Sequence, residues 1–244
     1  MRSLETIDPS RLLRLEMDLS DRNLDDVIES IRSAYSLVQI AYVCPGFRGH
    51  NINDPFLALT YSNAWVEHYL HEGYHCIDPV MSVGARSVLP IDWAVLPRCE
   101  KKVRRLFDDA REAGVGTQGL TIPVRGPVNG LWALFNVTSY DSGAEWAARR
   151  HDLMRDMVHV AHFIHQKAYD LHGVAEEIEL GAVTKREIEA LQWAAEGASI
   201  EEIAAAMRIS NETVKAHLDS ARYKLQALNR THAITKALRA GLIR

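Results

Sequence analysis

The chain has 244 residues, 47% hydrophobic and 25% charged, with a formal net charge of -4. These proportions suit a folded globular protein of one large or two modest domains and exclude a disordered or fibrous chain. No stretch approaches the roughly 18 apolar residues of a membrane helix, and residues 1–30 lack the apolar core of a secretory leader, so the sequence reads as cytoplasmic with no membrane partner.

Three cysteines, Cys44, Cys76 and Cys99, are odd in number and form no C-x-x-C pair. They support neither a disulfide framework nor a zinc ribbon and read as free, half-buried thiols. Charge is unevenly spread: residues 1–181 carry -7 and residues 182–244 carry +3, and from Arg208 onward eight basic residues face only Glu212 and Asp219. A small basic unit after a larger acidic one points to a polyanionic partner for the tail.

In chain order, apolar spacing predicts helices over 24–37, 64–73, 99–114 and 145–169, and strands over 38–44, 56–61, 119–124 and 131–137. The last two strands flank GPVNG as a hairpin. Helices at both ends with strands between them indicate an α+β chain whose N-terminal part is an α/β/α sandwich around a mostly antiparallel sheet.

Within this part, the run WVEHYLHEGYHCIDPV from Trp65 to Val80 has two readings. His68 and His71 stand three apart on one helix face, with His75 and Cys76 following, as metal ligands could. Trp65 and Tyr69, four apart, place two aromatics with polar tips on a different face, with Asp78 beyond, as a small-molecule pocket would. The second reading turns His68, His71 and Glu72 outward to solvent. In the long helix, His159, His162 and His165 also stand three apart, but successive steps drift about 60° around the axis, so they read as a solvated or interfacial edge.

Two glycines and an acidic cluster in LHGVAEEIELGAV break the periodicity. We expect domains over 1–167 and 182–244 with 168–181 as linker. Thr184 and Glu187 then open a helix with Ile188, Leu191 and Ala195 on one face, and Ser199 and Glu202 open a second. Ser210 caps a third helix with a buried stripe of Val214, Leu218, Ala221 and Leu225, and Thr231 begins a fourth containing Ile234, Ala237 and Leu238. Thr213, Lys215, Ala216, His217, Asp219, Ser220, Arg222, Tyr223 and Lys224 remain outside that stripe. This all-α, four-helix unit has a helix-turn-helix pattern whose third helix can enter a major groove; a packing module without nucleic acid is the plain alternative.

Residues 184–243, with EIEAL, AAEG, ISNETVKAH, KLQ, NR and GLI, resemble the DNA-binding domain of LuxR-type and NarL-type regulators. YSNAWVEHY at 61–69, IDPV at 77–80, DW at 92–93 and GLTIP at 119–123 resemble the autoinducer-binding domain of the LuxR quorum-sensing family. The resemblance implies a transcription factor that takes an N-acyl or aryl homoserine lactone, dimerises and binds an inverted-repeat operator in double-stranded DNA, without metal, cofactor or enzymatic activity. It places Lys215, Ala216 and Asp219 in the groove, with Thr213, His217, Arg222 and Lys224 completing the DNA-binding set, and Ile234 and Leu238 at a dimer contact. Asp219 is a departure, since many relatives have a neutral or basic residue there.

For the ligand, it implies that Trp65 donates to the lactone carbonyl, Tyr61 to the acyl carbonyl, and Asp78 accepts from the amide N–H, each role suiting the residue's donor or acceptor inventory. Tyr69 and Trp93 would wall the ring and chain, with Gly119 near the floor. Asn136 stands where several relatives have Thr or Ser near the acyl carbonyl. Two other readings compete: a regulator answering a non-lactone signal, and an enzyme with Cys44 or Cys76 as nucleophile, though neither lies in a catalytic signature.

Overall fold

A computed structural model describes residues 23–47, 54–127, 131–172 and 183–244, which fall into two compact units. In the first, β1 (Ile40–Cys44), β2 (Phe56–Leu59), β3 (Ile91–Asp92), β4 (Gln118–Arg125) and β5 (Trp132–Ser139) form one antiparallel sheet ordered β2-β1-β5-β4-β3. Its helices are α1 (Leu24–Ala34), α2 (Asn63–His71), α3 (Pro79–Gly84), α4 (Lys101–Glu112) and α5 (Gly143–His172). The predicted hairpin pairs Gly119 with Thr138 and Arg125 with Trp132. Residues 128–130 of its turn lie outside the described residues.

Side chains alternate across a strand, so the sheet has two chemically distinct faces. Ile40, Tyr42, Leu120, Ile122, Val124, Phe135 and Val137 pack with Val27, Ile28 and Ile31 of α1 and Met157, Val160 and Ile164 of α5 in the main core. The intervening Ala41, Val43, Leu57, Leu59 and Asn136 line a cavity with residues of α2, α3 and α4. Layers of helices on both faces give the expected α/β/α sandwich.

Several expectations are corrected. His165 is buried rather than solvated: its Nδ1 lies 2.7 Å from the Tyr42 hydroxyl and its ring stacks on Phe47 with centroids 6.2 Å apart. Only His159 and His162 of that trio are exposed, because the helix continues over the sheet and each i, i+3 step turns a residue further toward the core. The helix runs to His172, into the expected linker, whose residues 173–181 lie outside the described residues, as do residues 1–22. Cys44 is buried and Cys76 and Cys99 are exposed, rather than all half-buried. The six-residue α3 and two-residue β3 went unpredicted, being too short for either period to register. No described helix is long and apolar enough to cross a membrane.

The second unit holds α6 (Lys185–Ala195), α7 (Ile200–Met207), α8 (Asn211–Lys224) and α9 (Arg230–Arg239). Both capping boxes form, Thr184 with Glu187 and Ser199 with Glu202. Arg208, at φ 55°, ends α7 in a left-handed residue, and Ser210 caps α8 two residues later, which makes the turn tight. Val214, Leu218, Ala221 and Leu225 are all buried, as the spacing predicts. On α6 the buried apolar set is Ala190, Leu191 and Ala194, beside the buried Glu187, with Ile188 and Ala195 only partly covered, because both α8 and α9 pack on that helix. The last helix begins at Arg230, capped by Asn229, rather than at Thr231.

Candidate functional site

A cavity of about 440 Å³ lies between the second face of the sheet and α2, α3 and α4, within the usual range for small-molecule pockets. Tyr61, Trp65, Tyr69, Asp78, Trp93 and Asn136 all line it. Ser62 caps α2 by accepting from Trp65 N, so the helix starts where it sends Trp65 inward and Tyr69 one turn later to the same wall. The two rings meet edge to face at 5.9 Å.

Asp78 is the N-cap of α3, with Pro79 in the first turn, where a missing N–H costs nothing. One carboxylate oxygen accepts from Val80 N at 2.7 Å and the other from the Tyr69 hydroxyl at 2.9 Å. Burial pushes this carboxyl up to about 6, against the opposing pull of the Val80 N–H and the Tyr69 hydroxyl. Burial and the neighbouring Asp78 also push the Tyr61 and Tyr69 hydroxyls up, so both remain protonated donors at neutral pH. The Trp65 indole is 6% exposed and its N–H has no hydrogen-bond partner among the described residues. The cavity lining therefore includes an acceptor, Asp78, with the Tyr61 hydroxyl close enough to feel its charge, and the Trp65 ring.

Trp93 and Asn136 are tied to each other through Thr121, which sequence reasoning missed. Trp93 Nε1 donates to Thr121 Oγ1 at 2.7 Å, that hydroxyl donates to Asn136 Oδ1 at 2.7 Å, and Asn136 Nδ2 donates to the Ala41 carbonyl at 3.1 Å. The signal was present in GLTIP, since Thr121 is two residues from Gly119 and shares its strand face. Gly119 itself does not line the cavity; it lets the Trp93 ring lie flat on β4, and a Cβ there would meet that ring at 2.2 Å. Gly119→Ala is expected to displace Trp93, break its bond to Thr121 and destabilise the domain by about 1–3 kcal/mol. Tryptophan fluorescence and denaturant melts would check this; an unchanged melt would mean that the ring shifts without loss.

The metal reading loses its ligands to other work. His68 Nε2 is 2.8 Å from Asp109 Oδ2, and the Tyr74 hydroxyl donates to the same oxygen at 2.6 Å. Those bonds, Tyr74 first and His68 next, with the charge of Arg105, hold Asp109 below the usual carboxylate range. His68 also leans on the Trp65 ring at 5.9 Å, so it ties α2 to α4 behind the pocket wall while its side chain stays 40% exposed, outward in part as expected. His71 is exposed, while His75 and Cys76 line the cavity. No cluster of three or more metal-ligating side chains exists among the described residues.

On the second unit, Lys215, Ala216, Asp219 and Tyr223 are exposed on α8, and Thr213, His217 and Arg222 are half-buried beside them. Asp219 sits 3.6 Å from the Arg222 guanidinium, which tempers the acidic departure. Lys224 departs from the expected set. Its ammonium turns inward to both oxygens of Glu187, at 2.8 and 2.9 Å, and Ser220 donates to the same carboxylate at 2.6 Å. Leu238 is 40% exposed and Ile234 is partly covered by the helical core.

Comparison with known proteins matches this geometry. Residues 20–168 match the model described as "Autoinducer binding domain", and residues 182–237 that described as "Bacterial regulatory proteins, luxR family". The chain is 38% identical over 195 residues to the transcriptional activator protein RaiR of Rhizobium etli, covering 80% of each. It is 33% identical over 209 residues to RpaR of Rhodopseudomonas palustris, a quorum sensing-dependent transcriptional regulator, covering 84% of this chain and 82% of that one. Escherichia coli SdiA, solved in complex with octanoyl-rac-glycerol, shares the fold at TM-score 0.61 and 21% identity over 96% of this chain and 95% of that one. The chain belongs to the LuxR family, as an autoinducer-binding regulator of transcription in quorum sensing with a DNA-binding helix-turn-helix domain.

Proposed function

We propose that the cavity receives an N-acyl or aryl homoserine lactone and that its occupancy governs binding of a cytoplasmic dimer to an inverted-repeat operator. The carrying observation is the polar end of the pocket, where the Asp78 acceptor stands beside the Tyr61 and Trp65 donors. A lactone head offers one amide N–H and two carbonyls, which this set complements. Tyr69 holds Asp78 from the side, and Trp93, Thr121 and Asn136 form a pre-paired wall. The role is regulatory: Cys44 is buried, with its thiol on the Trp132 carbonyl at 3.3 Å, and burial pushes it away from the thiolate form.

A lactone at 100 times its dissociation constant should stabilise the full chain by about 2.7 kcal/mol. Melting curves across short, long, branched and aryl lactones test this, with octanoyl-rac-glycerol included as the non-lactone arm. A shift with the glycerol ester alone would move the reading to a non-lactone signal. No shift with any lactone would end it.

For DNA, we take Lys215, Ala216 and Asp219 as the groove face, flanked by Thr213, His217 and Arg222, and Leu238 on α9 as part of the dimer contact. A fragment of residues 182–244 should retain weak, salt-sensitive binding, because several phosphate contacts release counterions. Lys215→Ala should cost about 1–3 kcal/mol of specific binding if the lysine reads a base. Equal affinity of variant and parent for every duplex would remove Lys215 from the face.

A further inference from the structure

The cavity has a second, distal polar end. Along the sheet its lining runs on β5 from Asn136 to Trp132, a distance of roughly 14 Å for four strand residues. Alongside, α3 and the turn after it carry the lining from Asp78 to Arg86, roughly 12 Å at helical rise. The two walls share one direction. Gly84 presses on Leu134, and Arg125, paired with Trp132 at the end of β4, donates its guanidinium to the carbonyls of Gly84, Ala85 and Ser87 at 3.2, 2.9 and 2.6 Å. The end of α3 is thereby fixed beside Trp132, and Asp78 stands at the opposite end.

The lining also holds the apolar Val43, Leu57, Leu59, Val66 and Met81, together with His75 and Cys76. At the distal end stand Arg86, an exposed cation, and Ser82 one turn before it on the same wall. Arg125 is spent on the backbone of α3, whereas the Arg86 side chain has no hydrogen bond, ion pair or ring contact among the described residues. A purely alkyl tail would leave this guanidinium to water alone, while a planar carboxylate could take two of its N–H groups at once.

Building on the lactone reading, we infer that Arg86 selects the tail: the preferred ligand is a homoserine lactone whose acyl chain ends in a carboxylate. At about 1.25 Å per carbon for a zigzag of C–C bonds, the 12 Å span corresponds to a chain of about ten carbons. Ser82 donates a second hydrogen bond to the same end, and the lactone head remains at Asp78.

The test is calorimetric titration of the full chain with N-decanoyl homoserine lactone and with the same lactone carrying a terminal carboxylate on its chain, for the parent, Arg86→Ala and Arg86→Glu. The parent should bind the carboxylated ligand about two- to fivefold more tightly at low salt, the scale of an ion pair to an exposed guanidinium. Arg86→Ala should bring the two ligands to parity and Arg86→Glu should invert the order. Circular dichroism and melting curves of the empty protein report separately that both variants fold, so the comparison rests on the ratio of the two affinities within each variant. A parent that favours the decanoyl chain, or a preference that survives Arg86→Ala, overturns the inference and leaves the lactone reading standing. If the parent binds neither ligand, both fall together.

Discussion

Glu187→Ala is expected to abolish specific DNA binding and to destabilise the helix-turn-helix unit by about 2–3 kcal/mol. That lies below the roughly 3–5 kcal/mol of a fully buried pair, because Lys224 remains 28% exposed and can partly recover its hydration. The carboxylate joins two elements. It accepts from Thr184 N at 2.7 Å at the start of α6, and from Ser220 and Lys224 on α8, so the angle between α6 and α8 depends on it. Burial pushes this carboxyl up, but Lys224, Ser220 and Thr184 outweigh burial and hold it at about 2, against 4.5 for the free side chain. A depressed folded-state value means that the stabilisation is present above about pH 4.5 and is lost as pH falls toward 2. A double-mutant cycle checks the coupling: Glu187→Gln and Lys224→Met should each destabilise, and the double variant should be closer to the parent than their sum. Additive effects would show that the pair is incidental.

What could be read in advance was what is encoded locally. Both capping boxes and the 214–218–221–225 stripe are set by residues three or four apart, so the second unit emerged nearly whole from spacing alone. Trp65, Tyr69 and Asp78 are likewise close in sequence and met at one wall. The partners that give these residues their roles are distant. Thr121 is 28 residues from Trp93, and Asp109 is 41 from His68, so neither bond has a sequence period. The error at Lys224 has the same cause: a helical wheel places it on an outer flank, but the carboxylate that turns it inward arrives from another helix 37 residues earlier. His68 corrects the pocket picture too. Its removal should loosen the support behind Trp65 rather than leave the pocket untouched, because its ring lies against the indole.

Asp78→Asn is expected to weaken lactone binding by about 10- to 150-fold, the equivalent of one charge-assisted hydrogen bond of about 1.5–3 kcal/mol. The fold should survive, since asparagine is as good an N-cap as aspartate and its one oxygen can keep the Val80 N–H. Its NH2 then replaces the second oxygen and presents a donor to the amide N–H of the ligand. The parent adds a pH signature with opposite signs for the empty and occupied protein. In the empty pocket the Asp78 carboxyl is raised from 3.8 to about 6, so its contribution to stability is present below 3.8 and is lost as pH rises through 6. From this group alone, the empty domain should melt higher at about pH 5 than at about pH 7. Ligand behaves in reverse, because its N–H needs the ionised acceptor, and affinity should fall by up to about tenfold per pH unit below 6. The lactone-induced melting increment should therefore shrink on acidification while the empty protein gains, and Asp78→Asn should flatten both trends. An increment in the parent that is constant between about pH 5 and 7, or parent-like affinity in the asparagine variant, would place the ligand amide somewhere other than on Asp78.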